Sequence, residues 1–262
     1  SQPTPPRQAG FGYETYAFGM RDHALLQAMQ AGMVSHFEGC QRVLDVGCGT
    51  GMFVDLLLRH GLNARGVERN RQSAAYARAL GLDVEIEDAL AHLETSPQAY
   101  DGLYCSHFVE HLPMDAVERL VRLCAGALQP GGVAVFTFPD PESIRSQLLG
   151  FWRDPEHVRF YHPEIIEVLA LGQGLALEFS SQRQPGRRVV GFSLTPPEAP
   201  AVPAPAPGPW QRLLERCGIA THHALQTERR QREQVERWVR QLWDVNQTWA
   251  WDDNVVLRFR KT

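Results

Sequence analysis

The sequence predicts an α/β fold, in which a parallel sheet carries helices on both of its faces. Val43–Val46 contains an apolar, β-branched run that suits a short strand buried on both sides. Glycine then occupies every second position of residues 47–51, and residues 52–58 follow with helical spacing. Further along the chain, predicted strands and helices alternate with short connections, which is typical of a parallel, helix-covered sheet.

Composition sets the limits of this interpretation. The length of 262 residues fits one large domain with an insertion or two modest ones, and a hydrophobic content of 44% is enough for a sizeable core. The formal net charge is −4, so the chain has no overall basic bias and a nucleic-acid partner is not expected. No apolar run approaches the length of a membrane span, and the N-terminus lacks a signal-peptide segment. The five cysteines include no C-x-x-C pair, so we expect reduced cysteines and a cytoplasmic protein.

Acidic residues stand where predicted strands end. The predicted elements after the glycines are helix 50–60, strand 64–68, helix 71–80, strand 83–87, strand 100–106, helix 114–128, strand 133–138, helix 163–171 and strand 175–180. Glu68 ends the second strand and Asp88 follows the third. Ligands of parallel sheets bind at the carboxyl ends of the strands, where a carboxylate can accept hydrogen bonds from ribose hydroxyls. An exposed surface acid is the alternative for both residues.

These features resemble the successive motifs of class I S-adenosylmethionine (SAM)-dependent methyltransferases. The motifs are D-V-G-C-G-T-G, Glu68, Asp88, Y-D-G-L-Y-C-S-H-F-V-E-H-L and L-Q-P-G-G-V-A-V-F-T-F-P, in family order over residues 40–139. The resemblance implies a Rossmann-like seven-stranded methyltransferase sheet with helices on both faces, closed by an antiparallel strand at 251–261. The G-x-G-x-G spacing and the proline-led turn before the fifth strand disfavour a dehydrogenase.

The resemblance also implies which residues bind SAM. The residues that would bind the methionine part are Asp45, Gly47, Cys48, Gly49 and Gly51. Glu68 would bind the ribose, and Arg69 belongs to the same cofactor-binding set. Asp88 and Ala89 would bind the adenine, and Ser106 and His107 would border the cofactor.

His107, Glu110 and His111 are the candidate catalytic residues. If the chain is helical from Phe108, their spacing puts them on one face beside the transferable methyl group. One hypothesis is a histidine general base. A second is a divalent metal, because H-x-x-E-H resembles the E-x-x-E-H motif of metal-dependent O-methyltransferases, with His107 in place of the first glutamate. That nitrogen-rich set suits zinc, manganese, iron or cobalt better than magnesium. A histidine packed at a helix start is the structural alternative.

The segment 151–164 supplies the candidate acceptor site. It contains the predicted acceptor-binding residues His157, Arg159, Tyr161 and His162, and His157 could complete a metal set with His107, Glu110 and His111. Its D-P-E-H-V-R-F-Y-H-P-E stretch resembles methyltransferases of bacterial polysaccharide and glycan biosynthesis. We therefore expect O-methylation of a sugar hydroxyl on a glycan, including the capping of a polysaccharide chain. The alternatives are a phenolic or other small-molecule O- or N-methyltransferase, and a non-catalytic SAM-binding scaffold.

The predicted domain organisation has four parts. Residues 1–37 form a tail and edge helices, in which Tyr13, Tyr16 and Phe18 could act as a lid. Residues 38–182 form the SAM-binding core. Residues 183–250 form a proline-rich linker and a long helical insertion, and residues 251–262 form the closing strand. A stripe of Val235, Trp238, Leu242, Val245 and Trp249 has coiled-coil spacing. It predicts packing on the chain's own core, a homodimer or a partner protein.

Overall fold

The computed structural model describes residues 23–143, 146–147, 151–184, 208–217, 228–238 and 254–262, and a seven-stranded sheet lies at its centre. The strands are β1 (Val43–Val46), β2 (Ala64–Glu68), β3 (Val84–Ile86), β4 (Tyr100–Ser106), β5 (Leu128–Pro139), β6 (Leu175–Ser180) and β7 (Asn254–Lys261). Their order is β3-β2-β1-β4-β5-β7-β6, and β7 is antiparallel to both of its neighbours. The prediction of a seven-stranded sheet closed by the C-terminal segment is confirmed.

Helices pack on both faces of this sheet. They are α1 (His23–Ala31), α2 (Met52–Arg59), α3 (Arg71–Ala79), α4 (Ala89–Glu94), α5 (Met114–Ala127) and α6 (Pro163–Gly172). The short helix α4 was absent from the sequence prediction. It begins because the Asp88 side chain accepts hydrogen bonds from the backbone N–H groups of Leu90 and Ala91.

The central strand β1 explains how the two layers of the core are divided. Leu44 and Val46 pack in one buried cluster with α5, while Val43 packs in the other with α2 and α3. All four residues of β1 are buried, and this burial on both faces explains why most of them are apolar. Asp45 is the polar exception, and it is only 4% exposed.

The segment that follows β4 differs from its prediction. The residues after β4 form a single 3-10 turn, Val109–His111, instead of a helix that begins at Phe108. The helix α5 starts only at Met114, directly behind Pro113, because a proline is tolerated at a helix start and not inside it. At the N-terminus the described elements are α1 and the 3-10 turn Val34–Phe37, and the predicted lid aromatics lie outside the described residues.

Residues 185–251 form a separate unit. Within it the structure describes helix α7 (Pro209–Arg216), on which Trp210, Leu213 and Leu214 are exposed, and helix α8 (228–238). Ion pairs one turn apart, such as Arg229–Glu233, line α8. Leu242, Val245 and Trp249 of the predicted stripe lie outside the described residues, so a coiled coil or dimer there stays a prediction. No helix in the described ranges is long and apolar enough to cross a membrane.

The insertion of β7 into the sheet can be tested by truncating a side chain. Phe259 is fully buried, and its ring contacts Phe136 edge-on at 6.0 Å between centroids. Phe259→Ala should lower the free energy of unfolding by about 3–5 kcal/mol, because it removes a buried aromatic and leaves a cavity. Arg260→Ala, which removes a partly exposed ion pair with Glu178, should cost less than about 1 kcal/mol. If denaturant unfolding gave the same loss of unfolding free energy for both variants, it would contradict this packing.

Candidate active site

The glycine loop between β1 and α2 forms one wall of the candidate site. Gly47 and Gly49 have backbone φ angles of +73° and +56°, a region that non-glycine residues seldom adopt. A Cβ atom on Gly47 would lie 2.5 Å from the Phe108 ring, whereas one on Gly49 would meet nothing within 4 Å. Gly47 is therefore required by close packing within the chain, and Gly49 leaves open space that a ligand can approach.

Glu68 joins this loop to the end of β2. Its two carboxylate oxygens accept hydrogen bonds from the backbone N–H groups of Gly49 (2.9 Å) and Asn70 (2.7 Å). This bracing role was not predicted from the sequence, which assigned Glu68 only to ribose. Each carboxylate oxygen has a second lone pair, so the two roles are compatible.

Asp45 lies beside Glu68 in an unfavourable environment for a charge. Burial, together with the negative charge of Glu68, raises the pKa of Asp45 to about 8. Within the described part of the chain, neither carboxylate forms a salt bridge with a cationic side chain. A ligand that brings a positive charge to this position would stabilise the ionised Asp45 carboxylate against both its burial and its repulsion from Glu68.

The other predicted cofactor residues have more varied surroundings. The partly buried Cys48 side chain packs against β2, since a Cβ atom added to Gly66 would lie 2.4 Å from its Sγ. Arg69 is exposed and lies 4.0 Å from Glu156 of the acceptor segment. Asp88 caps α4, as described above. Ala89 is buried, Ser106 is half-buried, and Gly51, with a φ of +78°, directly precedes α2.

At the end of β4 the chain turns sharply through His107. This residue has a φ of +50°, and its N–H donates to the Thr137 carbonyl at 2.8 Å. Its Nδ1 lies 3.0 Å from Glu110 Oε1. Because an ionised carboxylate can only accept, Nδ1 carries the proton and donates it. The turn therefore brings His107 and Glu110 together as the sequence spacing suggested, although by a 3-10 turn and not by a helix.

Glu110, His111 and His157 form a compact cluster. Their candidate ligand atoms all lie within 4.8 Å of one another, and Glu110 is only 1% exposed. Glu110 Oε2 and His111 Nδ1 are buried and lack hydrogen-bond partners among the described residues. Unpaired buried polar atoms are costly, and two of them in one cluster indicate a place for a ligand.

His157 reaches this cluster in a defined tautomer. Its Nδ1 donates to the Phe151 carbonyl at 2.6 Å, so the lone pair is on Nε2. Burial lowers the pKa of His157 below its usual value, although the nearby Glu110 acts in the opposite direction. The neutral imidazole that results is the form in which histidine binds metal ions.

Hydrogen bonds tie the acceptor segment to the turn after β4 and to Leu112 behind it. The Val158 N–H donates to the Glu110 carbonyl at 2.8 Å, and the Tyr161 hydroxyl donates to the Leu112 carbonyl at 2.7 Å. Tyr161 is only 1% exposed, so the structure places it in the core and not against an acceptor. This corrects its predicted role.

The two other predicted acceptor residues lie nearer the surface. His162 caps α6, with its Nδ1 accepting a long hydrogen bond of 3.4 Å from the Glu164 N–H. The Arg159 guanidinium lies 5.1 Å above the Tyr161 ring and is exposed. The sequence analysis did not predict the structural role of Phe151, which is buried, stacks on Phe160 at 3.7 Å and fixes the tautomer of His157. Its position at the start of an aromatic-rich stretch was the available signal.

Comparison with known proteins decides the family. A family model described as a methyltransferase domain matches residues 20–178, which is more than half of the chain. The chain belongs to this methyltransferase domain family. It is a class I SAM-dependent methyltransferase domain, and the predicted cofactor, SAM, is the cofactor of this class.

Individual relatives agree with this assignment. The chain is 31% identical over 163 residues to the ubiquinone biosynthesis O-methyltransferase of Idiomarina loihiensis, covering 55% of this chain and 65% of that protein. It is 33% identical over 103 residues to the protein of the same name from Sodalis glossinidius, covering 37% and 41%. The chain therefore spans only part of the length of these relatives. A SAM-dependent methyltransferase from Archaeoglobus fulgidus has the same fold, with a TM-score of 0.64, 22% identity and coverage of 96% and 100%.

The residues of the site fit SAM. The cofactor carries a sulfonium and an ammonium group, and Asp45 with Glu68 offers two carboxylates without a cationic partner among the described residues. The open side of Gly49 gives its methionine part room to approach the backbone. When bound, SAM supplies an electrophilic methyl group.

Binding of SAM should release a proton from Asp45. In the free protein its pKa is raised to about 8, so the carboxyl group is largely protonated at neutral pH. A cation beside it lowers this pKa, and the affinity for SAM should therefore rise as the pH increases from about 6 to 8. Titration calorimetry in two buffers of different ionisation enthalpy measures the proton directly.

Asp45→Asn should abolish this proton release and weaken SAM binding, whereas Asp55→Asn on α2 should leave both unchanged. Identical binding heats in the two buffers for the unmodified protein, or an affinity that falls with rising pH, would refute the proposed contact between Asp45 and the cofactor.

Proposed function

We propose that the chain is a SAM-dependent O-methyltransferase of a small-molecule hydroxyl, with a phenolic acceptor as the preferred class. The observation that carries this proposal is the pair of buried, unpartnered atoms, Glu110 Oε2 and His111 Nδ1, beside His157. Glu110 and His111 follow β4, the strand that is expected to end beside the transferable methyl group, and His157 joins them from the segment after β5. A hydroxyl needs activation before it attacks, and these side chains are suited to provide it.

The reaction is a displacement at the methyl carbon. The acceptor oxygen forms a bond to that carbon while the carbon–sulfur bond of SAM breaks, and the sulfur keeps the electron pair. Most of the rate enhancement would come from alignment of the two reactants, with Asp45, Glu68 and the loop at 47–51 holding the cofactor. The hydroxyl proton must leave, and two ways of removing it are compatible with the site.

The favoured way uses a divalent cation held by Glu110, His111 and His157. One carboxylate and two imidazoles are a common ligand set for first-row transition metals. A cation bound there would lower the pKa of an acceptor hydroxyl. The alternative is a general base without metal, for which His107 is the candidate because its Nε2 is not engaged by Glu110.

The phenolic class is favoured over the sugar that the acceptor segment predicted. Both curated relatives described above carry the name ubiquinone biosynthesis O-methyltransferase, which supports a small-molecule acceptor. In addition, Tyr161 is buried, and the Phe160 ring is stacked on Phe151, so the segment has fewer free aromatic faces for a sugar ring than expected. Methylation of a glycan hydroxyl becomes a separate arm of the test.

Methyl transfer from radiolabelled SAM tests the proposal. The acceptors are a phenol with two adjacent hydroxyls, a set of glycans and RNA ends, each with and without EDTA. We expect label on the phenol, loss of label with EDTA and restoration by manganese or cobalt. His157→Ala should reduce transfer at least roughly 10- to 100-fold with little effect on SAM affinity, because it removes a metal ligand. His60→Ala, at the end of α2, is the control and should behave like the unmodified protein.

Each other outcome rejects a defined part of the proposal. Label that persists in EDTA would reject the metal and leave His107 as the base. Label only on a glycan would restore the sugar hypothesis. If SAM binds and no acceptor is labelled, the non-catalytic scaffold becomes the better explanation.

A further inference from the structure

His107 lies beside the cluster, and its side chain is used differently from those of Glu110, His111 and His157. Its backbone is held by the hydrogen bond to Thr137 in a left-handed conformation, and its Nδ1–H donates to Glu110 Oε1 at 3.0 Å. A protonated nitrogen has no lone pair for a metal. The other nitrogen, Nε2, is on the far side of the ring from that contact, so it faces away from the Glu110 carboxylate.

The geometry thus separates His107 from the group that can bind an ion. Among the described residues the cluster consists of Glu110, His111 and His157, and His107 is outside it. The H-x-x-E-H spacing predicts His107 as a further ligand, and the structure does not place it in this group. Because Glu110 Oε1 is engaged by His107, Oε2 is the oxygen left for an ion, and it is the atom without a partner.

We propose that His107 is a positioning residue that sets the metal preference of this cluster by orienting Glu110. The inference rests on the proposed function, since it requires that the cluster binds a divalent cation. The orientation leaves one carboxylate oxygen and two imidazole nitrogens, and this set favours manganese, cobalt or zinc over magnesium, which prefers oxygen ligands. A hydrogen-bond donor to a ligating carboxylate also fixes its direction, which is the role that outer partners have in metal sites.

Position 107 should therefore decide the choice of metal. A glutamate there cannot donate to Glu110, and it would add a second carboxylate to the cluster. Both changes favour a hard ion such as magnesium. A glutamine can still donate one N–H to Glu110, and it adds no charge.

Metal binding without SAM or acceptor tests this inference. Cobalt(II) is titrated into the chelator-treated full chain and followed by its visible absorption, and manganese(II) and magnesium(II) are then measured by competition. Thermal unfolding of each variant verifies that it is folded. His107→Ala should weaken cobalt and manganese binding about 10- to 100-fold, as expected for loss of an outer hydrogen bond to a ligand. His107→Gln should restore binding to within a few-fold of the unmodified protein.

His107→Glu should lower the ratio of manganese to magnesium affinity by at least tenfold. Unchanged cobalt affinity in His107→Ala would overturn the inference and leave the metal site intact. Failure of His107→Gln to restore binding would also overturn it, because a ligand nitrogen would then be the better explanation. If the unmodified protein binds none of the three ions, the metal site of the proposed function fails, and the inference fails with it.

Discussion

The site depends on one buried carboxylate, Glu110. Its backbone carbonyl accepts the Val158 N–H from the acceptor segment, one side-chain oxygen accepts the Nδ1–H of His107, and the other oxygen is without a partner among the described residues. Three parts of the chain therefore meet at one residue: the end of β4, the 3-10 turn and the segment after β5. A carboxylate with 1% exposure is costly unless a hydrogen bond or a cation compensates it, and this requirement organises its surroundings.

The cofactor side of the molecule depends on a similar balance. Asp45 occupies a position in β1 where every neighbour along the strand is apolar, and Glu68 adds a second negative charge while bracing the glycine loop. Among the described residues neither carboxylate has a cationic side-chain partner, and their mutual repulsion and burial raise the energy of the ligand-free state. A cationic cofactor bound beside these two groups would reverse this effect, and their placement would then contribute part of the free energy of binding.

Much of the fold could be predicted because its signals are local. The run at β1, the glycines after it and the alternation of strands and helices each reflect a steric or burial requirement that nearby residues satisfy. The turn after β4 could not be predicted in this way. Its shape depends on Pro113 and on the hydrogen bond that the His107 N–H donates to the Thr137 carbonyl. The residues between His107 and Pro113 have a spacing that also fits a helix. For the same reason Tyr161 was assigned to an acceptor, although long-range packing places it in the core.

In the proposed site, Glu110, His111 and His157 hold a divalent cation while His107 does not. Anomalous X-ray scattering from crystals grown with manganese tests it most directly, because the position of the ion and its ligands are seen together. We expect one anomalous peak within bonding distance of Glu110 Oε2 and of a nitrogen of each of His111 and His157. A peak bonded to His107, or no peak between these side chains at saturating manganese, would contradict it.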